Sequence, residues 1–130
     1  MQSGPPPTQT VQVQPPTPNN EPTPKNKKED QAAKLADALI KLASNAFQLQ
    51  GQSHLIHMNY EGENFLAMHK FLKKEYERHQ EEFDKLGEYV RSLDFLMPMC
   101  MKGLLGACKT MKHVDSYKGN QQLMTYLRNL

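Results

Sequence analysis

Apolar and small residues recur every three to four positions along the first half of the chain: Ala32, Leu35, Leu39, Leu42, Ala46, Leu49, Ser53 and Ile56. That period lays one stripe along a helix and predicts a first long helix ending near Asn59. Asn26-Lys-Lys-Glu29 has the form of its cap, with Glu29 and Asp30 in a first turn where the helix dipole favours acid. Gly51 interrupts the stripe without ending it, at a cost of about 1 kcal/mol against alanine. The segment from Asn59 to Gly62 supplies the break, because Asn and Gly tolerate the left-handed backbone of a tight turn. A second stripe follows at once: Phe65, His69, Leu72, Tyr76, Phe83, Leu86, Val90 and Leu93. Lys73, Lys74, Glu77, Arg78, Glu81, Glu82 and Lys85 fill the opposite face. Two long amphipathic helices joined by so short a turn must lie antiparallel, as an αα-hairpin.

Pro98 punctuates the chain within MPMCM, and GLLGACKTMKHV reads as a short connecting helix. A last helix is expected from Asn120, with Leu123, Met124, Tyr126 and Leu127 apolar, and the sequence stops at Leu130 after about three turns. The fold class is therefore all-α. A four-helix bundle built this way would lack part of its third long helix and all of its fourth. Either a longer chain or a second chain would complete the core.

Composition changes the picture at the N-terminus. Residues 1–24 hold eight of the nine prolines, no Leu, Ile or Phe, and the single charge of Glu21. Such a segment cannot bury enough apolar surface to offset its ordering entropy, so a disordered, polyproline-like tail is expected over residues 1–28, followed by a helical domain over 29–130. The tail ends in Lys25, Lys27 and Lys28, which against Glu21 make up the whole formal charge of +2; the remainder is neutral. No strongly basic face follows for the helical part, so any contact with DNA would fall to those three lysines, a weak electrostatic footprint. The N-terminus has no basic-then-apolar leader pattern, and no apolar run approaches the roughly eighteen residues of a membrane span. Cys100 and Cys108 lack ligand-like spacing, which agrees with reduced thiols in the cytoplasm.

Candidate chemistry concentrates between His57 and Glu88. Asp84 and Glu88 lie one helical turn apart on one face, where their oxygens can converge on cations. Isolated pairs of this kind are usually solvated. His57 precedes the turn and His69 follows it, so an antiparallel hairpin can bring both imidazoles to one level; His54, a turn earlier, can join them. Carboxylates with histidines from facing helices form the recurrent ligand set of di-iron bundles. Distance then separates the set. His69 and Asp84 are fifteen residues apart on one helix, roughly 22 Å at about 1.5 Å per residue. If these four residues make one site, the carboxylates must face the histidines of a second, antiparallel copy.

His57-Met-Asn59, Gly62-Glu-Asn-Phe65-Leu-Ala-Met-His69 and Asp84-x-x-x-Glu88 resemble the pattern of the Dps family, the starvation-induced mini-ferritins of the ferritin-like superfamily. The resemblance covers roughly residues 29–130. It implies a ferritin-like four-helix subunit and a homo-oligomeric shell of twelve subunits built from dimers. It further implies ferroxidase sites shared across the two-fold interface, where iron(II) is oxidised with hydrogen peroxide and the ferric product is stored within. Carried over, His57 and His69 would be catalytic metal ligands from one subunit, and Asp84 and Glu88 from its partner. The family's further Asp, four residues after the second His, is Lys73 here, and its Trp after the first His is Met58. An ammonium beside a divalent site opposes metal binding unless it swings to solvent.

Three functions compete on this reading. The first is an iron-oxidising and iron-storing protein that limits oxidative damage as part of a stress response. The second is a DNA-binding or structural shell protein, associated with the nucleoid, whose metal site is impaired at Lys73. The third is a monomeric helical module whose proline-rich tail docks in aromatic grooves. Met97, Met99, Cys100 and Met101 could attract a soft metal such as Cu(I), but methionines beside a proline more simply fill an irregular interface. His79 and His113 have polar neighbours and read as surface residues.

Overall fold

The computed structural model describes residues 3–4, 24–114 and 119–130; among them are four helices and no strand. Most of the proline-rich segment expected to be disordered lies outside the described residues. Helix α1 spans Pro24–Asn59, α2 Phe65–Ser92, α3 Met101–Ala107 and α4 Gly119–Asn129. The first helix starts two residues before the cap expected at Asn26. Pro24 suits a first helical position because the N–H it lacks would have no intrahelical acceptor there. Gly51 is exposed within α1 and leaves the helix continuous.

The turn after α1 is built from the residues that the sequence marks. Tyr60 N donates to Ile56 O at 2.7 Å, and Gly62 and Asn64 take φ of 155° and 58°. A side chain on Gly62 would be strained by that φ and would stand 3.3 Å from the Tyr60 hydroxyl, which donates to the Glu63 carbonyl. At its far end α2 stops in a Schellman turn. Asp94 adopts φ 66° where glycine is usual, Asp94 N donates to Arg91 O, and Phe95 N donates to Val90 O.

Helix α1 is the element on which α2, α3 and α4 all pack. Its buried positions are Ala36, Ala43, Ser44, Ala46, Leu49, Ser53 and Ile56. Leu35 and Leu42, expected in the buried stripe, are instead about half exposed, at 50% and 53%. Ala36, Ala43 and Ala46 are the buried apolar positions along this half, and Leu42 lines an open cleft with Glu82, Lys85 and Leu86 of α2. Leu49, Ile56, Tyr60, Leu72 and Tyr126 form the central cluster, with Met68, Met111, Val114 and Leu123 packed around it.

A polar stripe on α1 holds the end of α3 and the stretch that follows it to Lys112. Ser44, Gln48 and Gln52, spaced one turn apart, donate to the carbonyls of Leu104, Cys108 and Lys112, at 2.5, 2.9 and 3.2 Å. Asn129 of α4 closes the arrangement, donating to Gln52 Oε1 and the Lys112 carbonyl and accepting from Lys112 N. Carbonyls that no helix satisfies are thus answered by side chains, which is the condition for burying non-helical backbone.

Candidate metal half-sites

His57 occupies the last turn of α1, and His69 the second turn of α2. The short turn folds them face to face, with ring centroids 3.7 Å apart and planes 22° from parallel. His57 Nδ1 lies 2.9 Å from the His69 carbonyl, and His69 Nδ1 lies 3.1 Å from the His57 carbonyl. A carbonyl can only accept, so each Nδ1 must carry the proton. That assignment leaves both Nε2 atoms with a lone pair. Metal-binding histidines are commonly held in this way, with the other ring nitrogen donating to a carbonyl that fixes tautomer and orientation. The His57 carbonyl sits at a helix C-terminus, where intrahelical donors run out, so His69 also caps α1.

Aromatic rings brace the pair. Phe65 stacks on His69 at 5.2 Å, and Tyr76 meets His57 edge-on at 5.3 Å. His54 stacks on the other partner of this wedge, Tyr76, at 4.0 Å, and its ring lies 6.1 Å from that of His57. His54 therefore belongs to the cluster by way of Tyr76.

Asp84 and Glu88 lie far along α2, exposed, in the wall of an open cleft of about 560 Å³ shared with Gly87, Met97, Met99 and Leu104. Met97 packs against Gly87, where a Cβ would stand 3.9 Å from its Cγ, in keeping with the gap-filling role expected of it. Cys100 Sγ accepts from Gly103 N and caps α3. Because α2 is one uninterrupted helix, the separation of roughly 22 Å between His69 and Asp84 applies to it directly. Among the described residues, no group of three or more His, Cys, Asp or Glu side chains is placed to hold a metal ion. The chain thus holds one pair of imidazoles and one pair of carboxylates that do not meet within it. Lys73 is exposed one turn beyond His69, and Lys27 and Lys28 are exposed in the first turns of α1.

One buried group was misread from the sequence. His79, expected at the surface, is 1% exposed. Its Nε2 lies 2.7 Å from the Tyr126 hydroxyl and its Nδ1 3.0 Å from Glu82. Tyr126 also donates to Glu75, and Arg78 bonds both Glu75 and Glu82. Hydrogen bonding from Arg78 holds the Glu75 carboxyl below its ordinary range; burial opposes this and the Tyr126 bond adds to it. Burial, and then the bond to Glu75, push the Tyr126 phenol well above its usual value. His79 does share a helix face with Leu72, Glu75 and Glu82, so the 3.6 period was a usable signal.

Four helices with two long antiparallel arms, a short connecting helix and a ligand-type pair beside the first turn define a ferritin-like protein. Residues 36–124 match the ferritin-like domain family, and the chain belongs to it. Within that family it is similar to the crystal structure of a Dps protein from Vibrio cholerae O1, described as a member of a broad superfamily of ferritin-like diiron-carboxylate proteins. The two superpose with a TM-score of 0.70 and 26% sequence identity over 78% of this chain and 64% of that one. The chain thus spans just under two thirds of that protein's length. No curated protein matches the chain. No helix among the described residues is long and apolar enough to cross a membrane.

Proposed function

We propose that this protein binds and oxidises iron(II) at sites shared between two subunits of a homo-oligomeric shell, and stores the ferric product inside it. The observation that carries this reading is the reciprocal bonding of His57 and His69, which leaves both Nε2 atoms free to act as ligands. Asp84 and Glu88 of a partner subunit would supply the anionic oxygens, which favour the ferric product over the ferrous substrate. A two-fold axis brings each imidazole half against a carboxylate half and makes the site twice. With hydrogen peroxide as oxidant, two ferrous ions each give up one electron, the peroxide O–O bond breaks, and both oxygens leave at the oxidation level of water. The ferritin-like family and the likeness to a diiron-carboxylate Dps protein support iron as the substrate, and a shell of twelve subunits accords with that likeness.

Changing Asp84 and Glu88 together to Ala should abolish peroxide-dependent iron oxidation and leave the native mass of the oligomer unchanged. Undiminished oxidation in that double variant would remove both residues from the mechanism.

A second reading rests on Lys73, an ammonium one turn from His69. If it faces the interface, the site is impaired and the shell serves a structural or DNA-binding role in the cytoplasm, through Lys25, Lys27 and Lys28. Iron uptake separates the two: many irons per oligomer for storage, few or none for the structural shell.

A further inference from the structure

Helices α2 and α4 do not approach each other backbone to backbone; side chains join them through Tyr126, His79 and Glu75. The protons in this junction can be counted. Glu75 and Glu82 both accept from Arg78, at 2.8 and 2.5 Å, so both are carboxylates with no proton to give. The 3.0 Å contact between His79 Nδ1 and Glu82 must therefore take its proton from the ring. The Tyr126 hydroxyl has one proton and two close partners, Glu75 Oε2 at 2.9 Å and His79 Nε2 at 2.7 Å. Glu75 can only accept, so the phenol donates to it and Nε2 must donate to the phenol oxygen. A neutral imidazole adds one N–H to the phenol's one proton, which makes two protons for three contacts; an imidazolium supplies the third.

We infer that His79 is held as an imidazolium, and that the proton it carries fastens α4 to α2. With that proton, Glu75, Glu82, Arg78 and His79 sum to zero charge. Without it the group carries one net negative charge, and one of the three contacts along Glu82, His79, Tyr126 and Glu75 has no proton in it. Burial makes this consequential, since His79 and Tyr126 are 1% and 0% exposed. On α2 the charged groups facing His79 are Glu75, Glu82 and, through them, Arg78. From α4 comes Tyr126, with neutral Gln122 one turn earlier. From α1 comes Ser53, whose hydroxyl lies by the Leu49 and Gln50 carbonyls and the Tyr126 phenol and adds no charge. Among the described residues, the ionic partners within 4.0 Å of the ring are Glu75 and Glu82.

Docking of α4 is then linked to proton uptake, so it is tightest in mild acid and loosens as the pH rises. The effect reaches the hairpin, because Tyr126 belongs to the same buried cluster as Ile56 and Tyr60, which flank His57.

The test is a titration of the full chain from about pH 5 to about pH 9, the range in which histidines change charge. Histidine is labelled with 15N, Leu123 carries a methyl label on α4, and His79→Gln identifies the His79 signals. Both His79 nitrogens should show the imidazolium signature at the acid end, and their loss should coincide with the shift of the Leu123 methyl. In Tyr126→Phe, which has no oxygen to receive a proton from Nε2, the Leu123 methyl should no longer shift together with the His79 signals. A neutral His79 tautomer across the whole range would overturn the inference. So would a His79 titration that leaves Leu123 unmoved, or one still coupled to Leu123 in Tyr126→Phe. None of these readouts involves iron, so they stand apart from the proposed activity.

Discussion

Asparagine at position 57 separates what His57 does for the hairpin from what it would do for a metal. The amide nitrogen of Asn lies near where Nδ1 lies, so His57→Asn can still donate to the His69 carbonyl, but it has nothing in the place of Nε2. His57→Ala removes both. The alanine variant loses a hydrogen bond of 2.9 Å, a net term of about 0.5–1.5 kcal/mol. It also loses the 3.7 Å ring stack on His69, about 0.5–1.5 kcal/mol more, for a total of about 1–3 kcal/mol. The asparagine variant should lose only about the stacking half. Urea slopes for small domains are about 1–3 kcal/mol per molar, so a mid-range loss of about 2 kcal/mol in Ala should lower the unfolding midpoint by about 0.7–2 M, and Asn by about half as much. Both must be measured at one protein concentration, because assembly adds to apparent stability. Iron(II) binding should respond differently. Loss of a ligand should exceed the roughly 10–100-fold that loss of an orienting partner costs, and equally in both variants. An asparagine variant with iron(II) affinity like that of the parent would refute Nε2 as a ligand. One as unstable as the alanine variant would refute the hydrogen-bond account of the turn.

Three further outcomes are expected. Lys73→Asp should tighten iron(II) binding and speed its oxidation, and unchanged kinetics would show that Lys73 points away from the interface. Glu75 has a depressed carboxyl, first through Arg78 and then, against the opposing effect of burial, through Tyr126. It therefore contributes stability that is present above the ordinary carboxylate range and lost as the pH falls through its own. Glu75→Gln should lower the urea midpoint near neutral pH and flatten its fall toward about pH 3, and a parallel curve would exclude that role. Changing Lys25, Lys27 and Lys28 together to Gln should lower the slope of log affinity for duplex DNA against log salt by about 2.7, and a slope that does not move would release the tail from DNA binding.

Much of the architecture was legible because helices are written in local periodicity. The turn could be located from Asn59 and Gly62, whose residue types suit a backbone that most side chains resist, although the left-handed positions proved to be Gly62 and Asn64. The short helix after Pro98 and the last helix near Asn120 followed in the same way, as α3 and α4. The separation of His69 from Asp84 was legible too, since a rigid rise per residue converts their spacing into a distance.

What the sequence by itself determined, then, is the helices, the hairpin and the pairing of His57 with His69 across it, because each depends on residues near in the chain or on helical arithmetic. Only the tertiary structure decided which face of each helix is inside. It buried Ala36, Ala43 and Ala46 and left Leu35 and Leu42 half exposed, since burial depends on what the opposing surface offers. It took His79 into the interior, which required Tyr126, forty-seven residues away, to supply the oxygen that closes its hydrogen bonds. It also matched Ser44, Gln48 and Gln52 to three carbonyls about sixty residues distant. A periodic pattern names the residues that can be buried, but a buried polar group needs a partner, and that partner's position is known only once the chain has folded.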